Sequence, residues 1–540
     1  MNKVALVAIN AKYVHSSLSV WVLAGGVSKY ARTPHDIKVF EATIHQKNHD
    51  IVEQVTFFAP DVVGISTYIW NAEKLQDLLI LLKEKLPKAV FVLGGPEASN
   101  NSDYWLANGA DYVLHGEGEY AFPLLLDTLG SLKPAQSAPE RPIESIEPID
   151  PYGDEYFDAL GGRIAYIETS RGCPYQCSYC LSGGSGVVYF PLDAVKDQLD
   201  KLSRSGTKTI KLVDRTFNCN ADRAYELFEY IIGLDTDCCF HFEVAADLFD
   251  DRTITLLSSA PPGRVQLEAG LQSYYEPALR ATTRQTNVEK AETNIRRLLQ
   301  NNNIHIHIDL IAGLPYETLS DFQAGFDRAF TLGAHTLQLG FLKLLHGSKI
   351  RAQAEEFQIK YDPRPPYEIS CSPWLKAEDL QILRHTENAL RRTYNANRFL
   401  FTIKYVLSAS ELHPFLLFYT LGASALNHGT HLADYARQIF DCFAKLPNVR
   451  DEQLRDCMVC DWLSMVKGRN MPHFLRNPDK QRGQLIKAAA NSFGHMVARD
   501  EAAILHSGAG VAVDSNNRDA VTGLYSLSST DSALTPARLI

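Results

Sequence analysis

The chain has 540 residues, 45% hydrophobic and 21% charged, which fits a globular protein of about three or four domains. Its 53 basic and 63 acidic residues leave a net charge of -10, which argues against a broad basic footprint for duplex nucleic acid. The longest apolar runs fall short of a membrane span. The run Val4–Ile9 has neither the length nor the cleavage pattern of a signal peptide, so a cytoplasmic location is expected.

Residues 1 to about 130 alternate short apolar runs with amphipathic stretches. Strands are predicted at Lys3–Ile9, Ile37–Phe40, Val62–Ser66, Ala89–Leu93 and Tyr112–Leu114. Helices are predicted at Ser16–Tyr30, Asp50–Phe58, Ala72–Leu86 and Ala121–Leu129. The alternation implies a parallel sheet covered on both faces, a doubly wound domain over 1–133. Pro134, Pro139, Pro142, Pro148 and Pro151, set among Ser and Glu, predict a linker over 134–158.

A second series starts at Ile164, with strands predicted at Ile164–Glu168, Thr209–Val213, Phe240–Val244, Val265–Ala269, His305–Ile311 and Thr336–Leu342. Helices fit between them at Leu192–Ser203, Ala221–Ile232 and Val288–Asn301. Six such units over 159–372 predict a partial (β/α)6 barrel. From 373 to 506 the texture is helical: Ala377–Tyr394, Thr402–Ser408, Ala433–Leu446 and Glu452–Met465. The tail over 507–540 is rich in Ser, Thr, Asp, Asn and Gly, which predicts loose or disordered chain. The fold class expected is α/β with a helical carboxy-terminal domain.

Ten cysteines in such a chain argue against disulfides. Three are grouped in Arg171-Gly172-Cys173-Pro174-Tyr175-Gln176-Cys177-Ser178-Tyr179-Cys180. A loop with these spacings can place three thiolates on three irons of a cubane, leaving the fourth iron open to a small molecule. Structural zinc is the alternative, but zinc sites usually show two ligand pairs, and no second pair lies nearby in sequence. His305 and His307 share one strand face as metal ligands or, more commonly, as packed polar positions. Cys457 and Cys460 share a helix face, either as an auxiliary metal site or as buried thiols, and the second reading is favoured.

The cysteine loop resembles the signature of radical S-adenosylmethionine (SAM) enzymes, with Tyr179 as the aromatic residue before the last cysteine. The resemblance continues for roughly 200 residues. It implies a 4Fe-4S cluster on Cys173, Cys177 and Cys180, SAM chelated at the open iron, and reductive cleavage to methionine and a 5'-deoxyadenosyl radical. Strand-end residues Asp214, Glu243, Glu268, Gln272 and Ser273 face the site in this reading. Glu243, Glu268 and Gln272 would bind ribose hydroxyls and the amino group, with Gly313 and Leu314 close to adenine.

The amino-terminal module resembles the cobalamin-binding domain found in front of many such enzymes. The resemblance rests on four strand-end loops: Tyr13 to Ser17, containing His15; Ser66-Thr67-Tyr68; Gly94-Gly95-Pro96-Glu97; and Gly116-Glu117-Gly118-Glu119. The module lacks the Asp-x-His-x-x-Gly pattern that supplies a lower histidine ligand to cobalt. The helical region resembles the extra domain of an uncharacterised subgroup of the same proteins.

The expected function is radical chemistry on an unknown substrate, a small molecule rather than nucleic acid, with methyl transfer where cobalamin is bound. A flavodoxin or ferredoxin is the expected reductant, and no membrane partner is expected. The alternative is a cobalamin- or redox-sensing protein with a structural cluster and no catalysis.

Overall fold

The computed structural model describes residues 2–129, 148–184, 186–424, 431–466, 471–476 and 502–506, with the short segments 510–513, 524–527 and 535–536. The chain divides into two compact units. One comprises residues 1–322 with 340–376, the other 323–339 with 377–540.

The first unit opens with a five-stranded sheet of β1 (Lys3–Asn10), β2 (Asp36–Thr43), β3 (Val62–Ser66), β4 (Val90–Gly94) and β5 (Tyr112–Val113). All pairs are parallel, in the order β2-β1-β3-β4-β5. Because helices cover both faces, Val4 to Ile9 are buried without alternation. The helices Asn48–Phe58 and Ala72–Lys85 pack Ile51, Val55, Leu75 and Leu78 onto Ala5, Val7 and Ile9. On the other face, Leu18–Tyr30 and Gly118–Thr128 approach closely, and a Cβ on Gly26 would lie 2.4 Å from the Glu119 carbonyl oxygen. The strand order reverses between β1 and β3, and in open parallel sheets a crevice for ligands forms beyond the carboxyl ends at that point.

The expected linker partly folds. Residues 130–147 lie outside the described residues. Asp154–Leu160, however, is a helix whose Tyr156 is buried edge-on against Trp21. Tyr152 donates from its hydroxyl to the Tyr166 carbonyl at 2.8 Å. Two aromatic anchors therefore seat this segment on both modules despite its prolines.

The barrel sheet comprises β6 (Ala165–Ile167), β9 (Thr209–Leu212), β10 (Cys239–Val244), β11 (Val265–Gln272), β12 (His305–Ala312) and β13 (Thr336–Phe341), in the order β13-β12-β11-β10-β9-β6. A hairpin of β7 (Ser170–Cys173) and β8 (Gly186–Tyr189), absent from the sequence reading, leads into the cysteine loop. β11 and β12 alternate strictly between buried and partly exposed residues. Leu267, Ile306 and Ile308 face the helices, while Glu268 and His307 face the interior. Helix starts are fixed by side chains: Asn220 accepts from the Arg223 N–H, Asp250 from Thr253 and Asn287 from Lys290. A short pair, β14 (Lys360–Tyr361) with β15 (Ile369–Cys371), closes this unit.

The second unit is largely helical: Ala377–Arg392, Leu400–Ser410, Pro414–Ser424, Leu432–Phe443 and Asp451–Met465. Asp461, pushed up to about 7 by burial, caps Leu400–Ser410 by accepting from the Phe401 and Thr402 N–H groups and the Thr402 hydroxyl. Phe399 is buried against Tyr435 and Tyr394 packs on Phe330, so these aromatics are core. Most of the tail expected to be loose, 507–540, lies outside the described residues. β16 (Ala502–Ile504), β17 (Gly510–Val513), β18 (Leu524–Leu527) and β19 (Thr535–Pro536) form an antiparallel sheet, built on the short apolar runs Val511-Ala512-Val513 and Leu524-Tyr525.

Candidate functional site

The cysteine loop leaves β7 at the carboxyl end of β6. Cys173 and Cys177 are buried, Cys180 is partly exposed, and all three are free thiols. The Cys180 N–H donates to the Cys177 carbonyl, and the Ser182 N–H points at Cys180 Sγ at 3.4 Å. A second segment holds the loop from outside. The Ser178 N–H donates to the Thr282 carbonyl at 2.9 Å, and the Thr283 hydroxyl donates to the Gln176 carbonyl. Arg284 lies 3.8 Å from Cys177 Sγ, donates to the Gly270 carbonyl at 2.6 Å and covers the Tyr175 ring. Three free thiols beside a fixed guanidinium suit a metal cluster of negative charge. Cys219, outside the triplet, is partly exposed and lies 3.2 Å from the Tyr189 hydroxyl. Cys457 and Cys460 are buried, and burial pushes the Cys457 thiol up to about 12, as expected of structural thiols.

The residues expected at SAM divide into braces and groups facing the mouth or the interior. Asp214 accepts from the Thr169 N–H at 3.0 Å and from the Thr169 and Ser170 hydroxyls, and burial raises it to about 6. It fixes the strand end that leads to Cys173, which leaves its carboxylate turned from the mouth. Ser273 donates to Glu317 at 2.5 Å, joining the loops after β11 and β12. Gly313 has φ +100, and a Cβ there would stand 3.0 Å from the Ile369 side chain. Leu314 is fully buried, so both positions are occupied by packing. Tyr179 is half-buried with its hydroxyl beside Cys177, and burial raises it above the usual tyrosine range. Gln272 has φ +70 at a bulge in the β11–β12 register, which turns its side chain over Gly270.

Glu243 and Glu268 face the interior around Lys211, whose Nζ is 3.6 Å and 3.1 Å from them. Burial opposes ionisation of Glu268, but His241 and Lys211 outweigh it and hold the carboxyl at about 2. Asp309, buried beside Glu268 and Glu243, is driven well above the carboxylate range.

The amino-terminal loops meet this mouth. Arg171, two residues before Cys173, binds Glu168 at 2.6 Å and Glu119, at the start of Gly118–Thr128, at 2.8 Å. Glu41 takes Arg163 at 2.9 Å, Trp21 Nε1 at 3.0 Å, the Ser17 N–H and the Asn10 amide. Neither hub is visible in sequence, because each pairs residues far apart in the chain.

Of the expected cobalamin contacts, Glu119 is consumed by Arg171 and Glu97 by the Tyr367 hydroxyl at 2.5 Å. Gly95, at φ +96, lets its loop close on Thr67, where a Cβ would stand 2.7 Å from the carbonyl oxygen. Ser66 and Thr67 are buried. Gly94 accepts from the Thr67 N–H, and Gly118 packs against Leu23. His15 Nδ1 is 2.6 Å from the Tyr166 hydroxyl, and burial, then Lys12, lowers its pKa. Tyr13 is 77% exposed, Pro96 is exposed, Gly116 faces open space and Glu117 is partly exposed. Trp70, missed in sequence and 46% exposed, stacks on Tyr68 at 4.3 Å. Tyr13, Tyr68 and Trp70 thus present flat apolar surface beyond β1 and β3, where the strand order reverses. That surface fits a corrin, with His15 engaged elsewhere.

A barrel with three cysteines after its first strand, behind a doubly wound module open at its switch point, defines a radical SAM protein with a B12-type front domain. Comparison with known families agrees. Residues 4–126 match the B12 binding domain, 167–329 the radical SAM superfamily, and 355–499 a protein family of unknown function (DUF4080). The chain therefore carries a radical SAM domain behind an amino-terminal B12-binding domain. These domains imply a 4Fe-4S cluster, SAM and cobalamin as cofactors.

The chain is 26% identical over 377 residues to the cobalamin-dependent radical SAM methyltransferase TokK of Streptomyces tokunonensis, covering 62% of this chain and 54% of the relative. It is 28% identical over 241 residues to the hopanoid C-3 methylase of Methylococcus capsulatus, covering 40% and 46%. The chain spans about half the length of the curated relatives it matches. Among solved structures, the cobalamin-dependent SAM radical enzyme OxsB aligns with a TM-score of 0.56 at 15% identity, over 86% of this chain and 79% of that one. The radical SAM methyltransferase TsrM from Kitasatospora setae aligns with a TM-score of 0.54 at 17% identity, over 68% and 78%. Both show the same fold. No helix among the described residues is long and apolar enough to cross a membrane.

Proposed function

We propose that this chain is a cobalamin-dependent radical SAM methyltransferase that places a methyl group on an unactivated carbon of a small molecule in the cytoplasm. The observation that carries the reading is the Arg171 bridge to Glu168 and Glu119, which joins the cysteine loop to the front domain. When bound, the cluster supplies the electron that cleaves SAM, and cobalamin supplies a methyl carrier.

The chain's own residues hold and shield these reagents. Cys173, Cys177 and Cys180 would ligate three irons. Arg284, beside Cys177, would offer its guanidinium to the carboxylate of bound SAM. Asp214 and the Ser273–Glu317 contact keep the mouth in one geometry, while Tyr13, Tyr68 and Trp70 cover an apolar cofactor face. Atom balance requires two SAM per methylation. One gives methionine and 5'-deoxyadenosine, the latter carrying the substrate's hydrogen; the other gives S-adenosylhomocysteine. Two electrons enter from a flavodoxin or ferredoxin.

The test is anaerobic reconstitution with iron, sulfide and hydroxocobalamin, then reduction with SAM. Retained corrinoid after gel filtration and 5'-deoxyadenosine are expected, and Cys173→Ala should abolish the latter. A fully loaded cluster that yields no 5'-deoxyadenosine would leave the sensing alternative standing. A chain that retains no corrinoid would defeat the methyltransferase reading.

A further inference from the structure

The barrel interior carries a second set of metal-type donors that uses none of the three cysteines. β10, β11 and β12 pair Glu243 with Glu268 and Glu268 with His307. The two-residue period then puts His241, Glu268 and His307 on one inward face of three adjacent strands. Their donor atoms all lie within 4.8 Å of one another.

Gln266 sits between the imidazoles, its Nε2 at 3.3 Å from His241 Nδ1 and 3.2 Å from His307 Nε2. His305 packs edge-on against His307 at 4.8 Å, and Lys211 Nζ lies 3.1 Å from Glu268.

His241 is only 9% exposed, and its Nε2 lies 2.9 Å from Glu268 Oε2 without the alignment of a full hydrogen bond. Asp309, adjacent on β12, is held protonated by burial and by Glu268 and Glu243, and hydrogen-bonds Glu268. A buried polar atom left over in this way is costly, and the His241 nitrogen borders the Glu268 carboxylate. A cation between His241, Glu268 and His307 would take up the imidazole nitrogen and the carboxylate together. With its amide turned over, Gln266 would accept the Nδ1–H of His241, the outer support that metal-bound histidines usually have.

We infer that His241, Glu268 and His307 form a divalent transition-metal site of the zinc type inside the barrel. Two imidazoles and one carboxylate match zinc rather than calcium or magnesium, which favour all-oxygen shells. Three protein ligands leave a fourth position for water or an anionic oxygen of the substrate. Lys211 competes as the counter-ion of Glu268. The inference stands independently of the radical reading.

The test uses the full chain with its cluster loaded, so that the cysteines are occupied, equilibrated with zinc alone and dialysed. One zinc per chain is expected by elemental analysis, with an X-ray absorption shell of nitrogen and oxygen at about 2.0–2.1 Å and no sulfur. His307→Ala should weaken zinc binding by more than about 100-fold with iron content unchanged. Lys211→Met should tighten it. Zinc no higher than in a buffer control, or a sulfur-containing shell in the wild-type chain, would overturn the site even if the variants fail to fold.

Discussion

Glu317 gives the sharpest stability test of the barrel mouth. One carboxyl oxygen receives the Ser273 hydroxyl at 2.5 Å, while Oε2 is buried with no partner. Burial, with Asp321 nearby, moves the group from 4.5 to about 8 against the pull of Ser273. That displacement corresponds to about 5 kcal/mol between the two protonation states. The folded chain holds the proton more tightly than the unfolded chain. The stabilisation is therefore fully present below about pH 4.5 and is lost as pH rises towards 8. Glu317→Gln keeps an acceptor for Ser273 and cannot ionise. Wild type and variant should melt together at pH 5. At pH 8 the variant should melt roughly 5–10 °C higher, given about 1–2 °C per kcal/mol for a unit of this size. Thermal unfolding of the anaerobically purified chain from pH 5 to 8.5, followed by near-ultraviolet circular dichroism, reads the difference. Parallel pH profiles for the two proteins would refute the assignment of a buried, neutral Glu317.

Arg171→Met strands Glu119, buried, and Glu168 without their cation. It should cost about 3–5 kcal/mol and release corrinoid on gel filtration. Trp70→Ala should weaken corrinoid binding at least tenfold by absorbance titration while leaving iron content unchanged, because Trp70 stacks on Tyr68 and donates to the Ile9 carbonyl, remote from the cysteines. Gly95→Ala forces a side chain into φ +96 and against the Thr67 carbonyl, and should lower the melting temperature by several degrees. Cys457→Ser should leave iron content and 5'-deoxyadenosine yield unchanged, since the Cys457 thiol is buried in a helix and held protonated.

The strands were legible because parallel sheets covered by helices leave local signals. Val4 to Ile9 reads as a continuous apolar run, and His305 to Ala312 as an alternating one. The cysteine spacing was legible because its chemistry is local. The direction of a strand-end carboxylate was not. Asp214 and Glu268 occupy similar positions in sequence, but one turns back to Thr169 and Ser170 while the other turns inward to Lys211 and His241. The helix Pro414–Ser424 was missed because it is apolar on nearly every side and shows no helical period. Arg284, more than a hundred residues from Cys177 in sequence, reaches the cluster loop only through the barrel's closure.

The contacts between the front domain and the barrel bear on how two cofactors could share one substrate. Besides the Tyr156–Trp21 contact, four junctions are polar and directional. Ser16 donates to the Ile164 carbonyl, Arg163 clamps Glu41, His15 meets Tyr166, and Arg171 meets Glu119. An apolar interface can slide with little change in energy, whereas a buried ion pair displaced by an ångström loses much of its hydrogen bonding and leaves charge unpaired. Three of these contacts act on the start of β6, and the fourth acts two residues before Cys173. The first barrel strand and the hairpin that follows it are therefore both tied to the front domain. A methyl donor held beyond β1 and β3 would keep one distance from a radical generated at the cysteine loop, so the substrate's reach between them is set by the chain rather than by domain motion.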